Sequence, residues 1–226
     1  MSTPGNLIVF EGIDGSGKST QFELLCKLLE AKGQDFRRLS FPRYSEESSA
    51  LIRMYLGGEF GSDPDAVGAY AASIFFTVDR IASYIQEWKS YYQSGGLILT
   101  DRYTTSNAIH QGAKLPADER EAYFKWLYEF EFNLVELPRP SCVIYMDIEA
   151  SQSIKRLERR QAETGTSADI HETDFSYLEQ SAHCGRQAAD FYGWHKIACF
   201  DESRERTVED IHSELASLIF TTLKHG

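Results

Sequence analysis

Five short apolar runs punctuate the chain, at residues 7–10, 36–41, 97–100, 142–146 and 197–200. Segments of helical period separate them, the alternation of a doubly wound, mainly parallel sheet. The pattern predicts a first helix from the glycine-rich stretch after the first run to about Lys32, ended by Gly33. A long helix is predicted over roughly 65–93, stopping before Gly95 and Gly96, and others over about 118–135, 151–161, 174–192 and 208–223. Residues 163–171 are polar, contain Gly165 and lack apolar periodicity, so they read as a mobile loop between two helices. No repeat, low-complexity stretch or Pro/Gly-rich linker divides the chain, which predicts one α/β domain over 1–226.

Within the long helix, Val67, Tyr70, Ala71, Ile74, Val78, Ile81, Ala82 and Ile85 recur at helical spacing and predict its buried stripe. Phe76 and Arg80 stand one turn apart and off that stripe. Their face is otherwise small: Ala69, Ala72, Ser73 and Ser83. A ring and a guanidinium among small residues suit a flat polar base; a contact with a partner protein is the other reading.

Composition narrows the partners. The apolar fraction of 42% and charged fraction of 25% are those of a globular chain and argue against disorder. A net charge of −11 argues against a groove for a nucleic-acid polymer, which needs a basic stripe, but not against a small anion held by local donors. Cys26, Cys142, Cys184 and Cys199 are scattered without a CxxC pair and read as buried reduced thiols. The N-terminal MSTPGN has no basic n-region, and no apolar run approaches the roughly 20 residues of a membrane span. The expected setting is the cytoplasm, without a membrane.

The first run leads into Gly12-Ile13-Asp14-Gly15-Ser16-Gly17-Lys18-Ser19-Thr20, the GxxxxGK[ST] string between a strand and a helix. Glycines let the backbone curl so that successive N–H groups face one anion at the positive end of a helix. Lys18 would meet the β- and γ-phosphates of a nucleoside triphosphate, and the Ser19 hydroxyl would ligate Mg²⁺. The third run ends in Asp101-Arg102, at the carboxyl edge where ligands collect in open α/β sheets. Asp101 could sit near Mg²⁺ or its waters, or cap a helix; Arg102 could clamp a phosphate or form a surface ion pair. There is no NKxD or DxxG of a GTPase and no LSGGQ of a transporter. The surviving class is a small-molecule kinase.

Together, Phe10-Glu11 and the glycine loop, Phe41-Pro42-Arg43, Phe76 with Arg80, Asp101-Arg102-Tyr103 and Ser106-Asn107 resemble the thymidylate kinase family through nearly the whole chain. The resemblance implies a five-stranded nucleoside-monophosphate-kinase fold with a lid at about 156–174, usually a homodimer, that phosphorylates dTMP to dTDP with ATP and Mg²⁺. It implies that Asp14 approaches the deoxyribose 3′-hydroxyl and that Arg43 and Arg102 hold the acceptor phosphate. Phe76 would stack on thymine, Arg80 would bond O4 and Asn107 would face N3, with Phe41, Pro42 and Ser106 completing the acceptor site.

Arg156, Arg159 and Arg160 share one helical face before the polar loop, while Asp14-Gly15-Ser16 brings no basic residue before Lys18. This resembles the lid-arginine, bacterial-like kind, in which those arginines join Lys18 and Arg102 as catalytic residues; a solvated basic face is the alternative. Glu172 resembles an acidic lid residue near the sugar and metal. His110 stands where the family suggests an aromatic near the sugar 2′ position, and a structural histidine is an equal reading. A deoxynucleoside kinase of the same fold would need a carboxylate to deprotonate a 5′-hydroxyl, where Arg43 stands instead. Another nucleoside monophosphate kinase remains open, whereas an ATP-gated switch predicts no second phosphate clamp.

Overall fold

The computed structural model describes residues 4–61, 66–164, 175–201 and 204–225. Strands β1 (Asn6–Glu11), β2 (Arg37–Ser40), β3 (Leu97–Asp101), β4 (Cys142–Asp147) and β5 (His195–Ala198) form one parallel sheet in the order β2-β3-β1-β4-β5. This is the predicted five-stranded architecture. With β1 at the centre, the connections after β1 and after β3 run to opposite sides and leave a crevice at the carboxyl ends.

Side chains of β1 alternate between two cores, as strand geometry requires. Ile8 and Phe10 pack with Phe22, Leu25 and Leu29 of helix α1 (Lys18–Ala31) and with Ile211, Leu215 and Ile219 of the C-terminal helix. Leu7 and Val9 pack on the other face with Phe41, Trp88, Ile98 and Tyr103. Both faces are covered, which explains why the central strands read as unbroken apolar runs. The edge strand β5 instead starts at His195 and ends at Ala198; Phe200, predicted as its end, belongs to a hairpin of β6 (Phe200–Asp201) and β7 (Arg204–Glu205).

The predicted long helix divides into α3 (Ala69–Ser83), a π-helical turn (Tyr84–Trp88) and α4 (Lys89–Gln93). Among the described residues, two α-helices escaped prediction: α2 (Ala50–Leu56) and α5 (Thr105–His110). Each is short, and TSNAIH offers few strong helix formers, so tertiary packing makes α5. Helices α6 (Arg120–Tyr128, continued by a π-helical turn to Leu134), α7 (Ala150–Thr164), α8 (Phe175–Tyr192) and α9 (Val208–His225) fall near their predicted places. All four cysteines are buried and free.

The face assigned to α3 is reversed. Tyr70, Ile74, Val78 and Ile85 are 43%, 45%, 41% and 63% exposed, and Ala71 is exposed as well. Ala69, Ala72, Ser73, Thr77, Asp79, Arg80 and Ser83 are the buried residues. The helix turns its small, polar face inward because Arg80 must reach a buried acid, described below.

Helix α8 meets β4 through Gly185, where an added Cβ would stand 2.7 Å from Tyr145 Cζ and 2.8 Å from Cε2. Tyr145 Oη meanwhile donates to the Ala182 carbonyl at 3.2 Å, which fixes the ring. Gly185→Ala should therefore lower the unfolding free energy by about 1–3 kcal/mol. Chemical denaturation checks this; an unchanged midpoint would show that α8 and β4 separate at no cost.

Candidate active site

Gly17 (φ 86°) and Gly15 (φ 74°) adopt left-handed backbone, and a Cβ on Gly15 would lie 2.7 Å from the Ser153 carbonyl oxygen. Gly12 has a packing reason of its own: a Cβ there would lie 2.7 Å from Ser16 Oγ and 3.1 Å from the Met146 carbonyl. Helix α1 starts at Lys18 without a side-chain cap, so its first-turn N–H groups serve the loop. Ser153 of α7 braces the curl by donating Oγ to the Asp14 carbonyl.

Lys18 Nζ donates to Asp101 Oδ1 at 2.6 Å, and Ser19 Oγ donates to Asp101 Oδ2 at 3.3 Å. Burial, with Arg102 adding to it, pushes the Lys18 ammonium below the ordinary lysine range, while Asp101 opposes. A hydroxyl and a carboxylate side by side are the hard oxygen donors that Mg²⁺ takes. Ser16 Oγ is buried and has no partner among the described residues, which leaves a hydroxyl for a ligand of this loop.

Two cavities open on this centre. One, of about 280 Å³, is lined by the loop from Ile13 to Thr20 together with Arg156 and Arg159. Arg156 Nη1 donates to the Ser16 carbonyl at 2.9 Å, and its Nε to Glu205 Oε1 at 2.8 Å. Arg160 belongs to α7, but its side chain, like Glu172 and most of the predicted loop, lies outside the described residues.

The second cavity, of about 390 Å³, shares Asp14, Lys18 and Ser19 with the first. Phe41, Pro42, Phe76, Arg80, Asp101, Arg102, Ser106, Asn107 and His110 also line it, so most predicted acceptor residues converge. Arg43 does not line it. Its Nε donates to Asp79 Oδ1 at 3.1 Å, its Nη2 to Ser48 Oγ at 2.9 Å, and its Nη1 to Glu87. A third cavity, of about 220 Å³ between α6 and the starts of β4 and β5, contains none of the predicted residues.

Arg80 is fully buried. Its Nε donates to Glu131 Oε2 at 3.1 Å and its Nη2 to Oε1 at 2.5 Å, a two-pronged pair whose side chains are 2% and 0% exposed. Asn107 Nδ2 donates to the same Glu131 Oε1 at 3.0 Å and to the Ser73 carbonyl at 3.2 Å. Phe76 meets Tyr55 edge-on, with centroids 6.3 Å apart.

Arg102 sits at φ 68°, a left-handed position rare for a non-glycine residue. Thr100 Oγ1 donates to its carbonyl at 2.7 Å, and its own N–H to the Phe10 carbonyl at 3.0 Å. Its Nη2 donates to Asp14 Oδ1 at 2.6 Å. Burial opposes the Arg102 charge, but Asp14, Glu11 and Asp101 outweigh it and hold the guanidinium above its ordinary value.

Sequence reasoning gave no role to two acids, Glu11 and Glu131. Glu11 accepts from the Tyr103 N–H at 3.1 Å, Thr105 Oγ1 at 2.6 Å and Ser106 Oγ at 2.8 Å, which ties β1 to α5. Burial raises its pKa, against the pull of Arg102. The signal was present, because an acid closing an apolar strand needs internal donors. Glu131 gave no such signal: within EFEFNL it looks like its neighbour Glu129, and only the tertiary structure singles it out.

A glycine loop at the end of β1, a lysine–aspartate pair beside it and two cavities meeting on that lysine define a P-loop phosphotransferase for small molecules, in the nucleoside-monophosphate-kinase fold. Residues 10–211 match the family model of thymidylate kinase, and the chain belongs to that family. It is 31% identical over 170 residues to a thymidylate kinase of Mycobacterium tuberculosis, covering 74% of this chain and 78% of the relative. It is 28% identical over 229 residues to a probable thymidylate kinase of Thermococcus gammatolerans, covering 98% and 99%. The solved thymidylate kinase of Candida albicans superposes with a TM-score of 0.71 at 21% identity, covering 100% of this chain and 96% of that one.

The Arg80–Glu131 pair gives a direct test. Glu131→Ala leaves a buried guanidinium without its acid and should cost about 3–5 kcal/mol of stability. Urea denaturation measures this; a loss below about 1 kcal/mol would mean that water or another acid replaces Glu131.

Proposed function

We propose that this chain transfers the γ-phosphoryl group of ATP to dTMP, giving ADP and dTDP. The observation that carries the proposal is the junction of the two cavities at Asp14, Lys18 and Ser19, with Arg102 anchored on the acceptor side. ATP lies along the loop and the first turn of α1, and Lys18 meets the phosphoryl group in transfer. The acceptor oxygen is already anionic, so no general base is needed, and catalysis is positioning plus charge neutralisation. Ser19 and Asp101 would hold Mg²⁺, partly through water; when bound it neutralises charge on the transferring phosphates.

On the acceptor side, Phe76 stacks on thymine while Arg80 and Asn107, both oriented by Glu131, bond O4 and N3. Phe41, Pro42 and Ser106 shape the wall, and Asp14 approaches the 3′-hydroxyl. Arg102 holds the acceptor phosphate, and Arg43 joins it by exchanging its contact with the exposed Glu87.

The donor cavity supports the lid-arginine kind. Arg156 already touches the loop, and Arg159 faces the same space, as the missing basic residue before Lys18 demands. Arg156, Arg159 and Arg160, at the head of a lid over 156–174, supply that charge within a single domain. The exposed apolar residues Ile74 and Val78 of α3, with Ile85 beyond its end, suit a second copy of the chain in a homodimer, since grouped exposed apolar side chains mark an interface. Four free buried thiols fit the reducing cytoplasm, and among the described residues no helix is long and apolar enough to cross a membrane.

With ATP and Mg²⁺, ADP release should be fastest with dTMP among natural nucleoside monophosphates. Turnover of thymidine with dTMP inert would instead make the chain a nucleoside kinase. Arg156→Ala or Arg159→Ala should lower kcat more than about tenfold while the dTMP KM moves less, because the contact tightens on closure. Normal kcat in both single variants and in the triple variant with Arg160→Ala would reduce the basic face to a solvated one.

A further inference from the structure

His110 lies between a guanidinium, which can only donate, and a phenol hydroxyl, which can also accept. On one side Arg102 Nη1 is 2.6 Å from His110 Nε2; on the other, Tyr177 Oη of α8 is 3.2 Å from Nδ1, with the two rings stacked at 20°. A guanidinium has only N–H donors, so the nitrogen facing it must carry a lone pair. The ring proton is therefore on Nδ1 and is donated to the Tyr177 hydroxyl. Burial, with Asp14 and Tyr55 adding to it, raises the Tyr177 pKa well above its ordinary value, so that hydroxyl keeps its own proton and can accept.

We propose that His110 is a positioning residue, held as the neutral Nδ1–H tautomer, whose Nε2 fixes the Arg102 fork that grips the acceptor phosphate. The proposal rests on the reading of Arg102 given above. Asp14 takes one edge of the guanidinium and His110 another, so the plane of the fork is set from two sides. The charges explain why the second anchor is a histidine. A second carboxylate beside Asp14 would fix Arg102 equally well but would repel an incoming phosphate. A neutral acceptor orients the arginine and leaves its charge for the substrate. Tyr177 completes the relay by fixing the tautomer, as second-partner hydrogen bonds do for imidazoles. Among the described residues, the charged groups sharing this cavity are Asp14, Lys18, Arg80, Asp101 and Arg102, with Tyr44, Tyr55, Tyr103 and Tyr177 as its hydroxyl-bearing titratable groups.

Two measurements test it. A long-range ¹H–¹⁵N spectrum of histidine-labelled, ligand-free protein at alkaline pH should show one ring in the Nδ1–H form, and that signal should vanish in His110→Gln. An Nε2–H or doubly protonated His110 overturns the proposal. For kinetics, a Gln amide oxygen reaches the place of Nε2, whereas an Asn amide reaches only that of Nδ1. His110→Asn should raise the dTMP KM more than about tenfold with the ATP KM moved less than about threefold, and His110→Gln should stay within about threefold of wild type for both. A wild-type dTMP KM in His110→Asn, or equal losses in the two variants, overturns it. Absence of dTMP turnover in the wild-type chain overturns the function reading and the positioning role with it, while the tautomer is judged by the spectrum alone.

Discussion

Parallel pairing of β1 with β3 places Phe10 opposite Asp101, and the lysine–aspartate pair at the phosphate loop takes its position from that register. The loop leaving β1 can then bring Lys18 back to Asp101 at 2.6 Å, although 83 residues separate them in sequence. One residue beyond the paired positions, Glu11 collects donors from Tyr103, Thr105 and Ser106 and so draws the start of α5 against β1. A slip of one position would turn Asp101 to the other face of the sheet and strand a buried lysine. The double core holds the register, because Ile8 and Phe10 are committed to one side and Leu7 and Val9 to the other.

Around that frame the cavity lined by Phe76, Arg80 and Asn107 is built on buried charge. Removing Arg80 and Glu131 from water carries a large desolvation penalty, which their two-pronged contact and Asn107 offset without making the pair a strong source of stability. Its value lies in geometry. With Glu131 fixing both Arg80 and Asn107, two hydrogen-bonding groups on different helices hold one orientation before any ligand arrives, which lowers the ordering cost of binding.

The central strands β1, β3 and β4 were legible because a strand covered on both faces writes itself as an unbroken apolar run, and the phosphate loop because its geometry admits few residues. The grouping of Phe76, Arg102 and Asn107 around one cavity was legible too. The orientation of α3 was not. Periodicity locates an amphipathic axis but does not say what lies on either side, and here the apolar stripe faces outward while the small face closes on Arg80. Helices α2 and α5 were missed because packing, rather than their own propensity, makes them. Arg43 shows another gap, since a sequence gives the reach of a guanidinium but not the carboxylates that claim it first.

The left-handed backbone at Arg102 carries a further consequence for the chain's evolution. That conformation costs an L-residue about 1–2 kcal/mol, a strain that glycine would not feel. Glycine here would relieve that strain but would also leave Asp14 without its ion pair and take a positive charge away from the buried Glu11. A library screened for heat resistance alone weighs only these opposing stability effects and is blind to whatever the guanidinium does for a ligand. Screens for sturdier variants of this scaffold therefore have to monitor turnover in parallel.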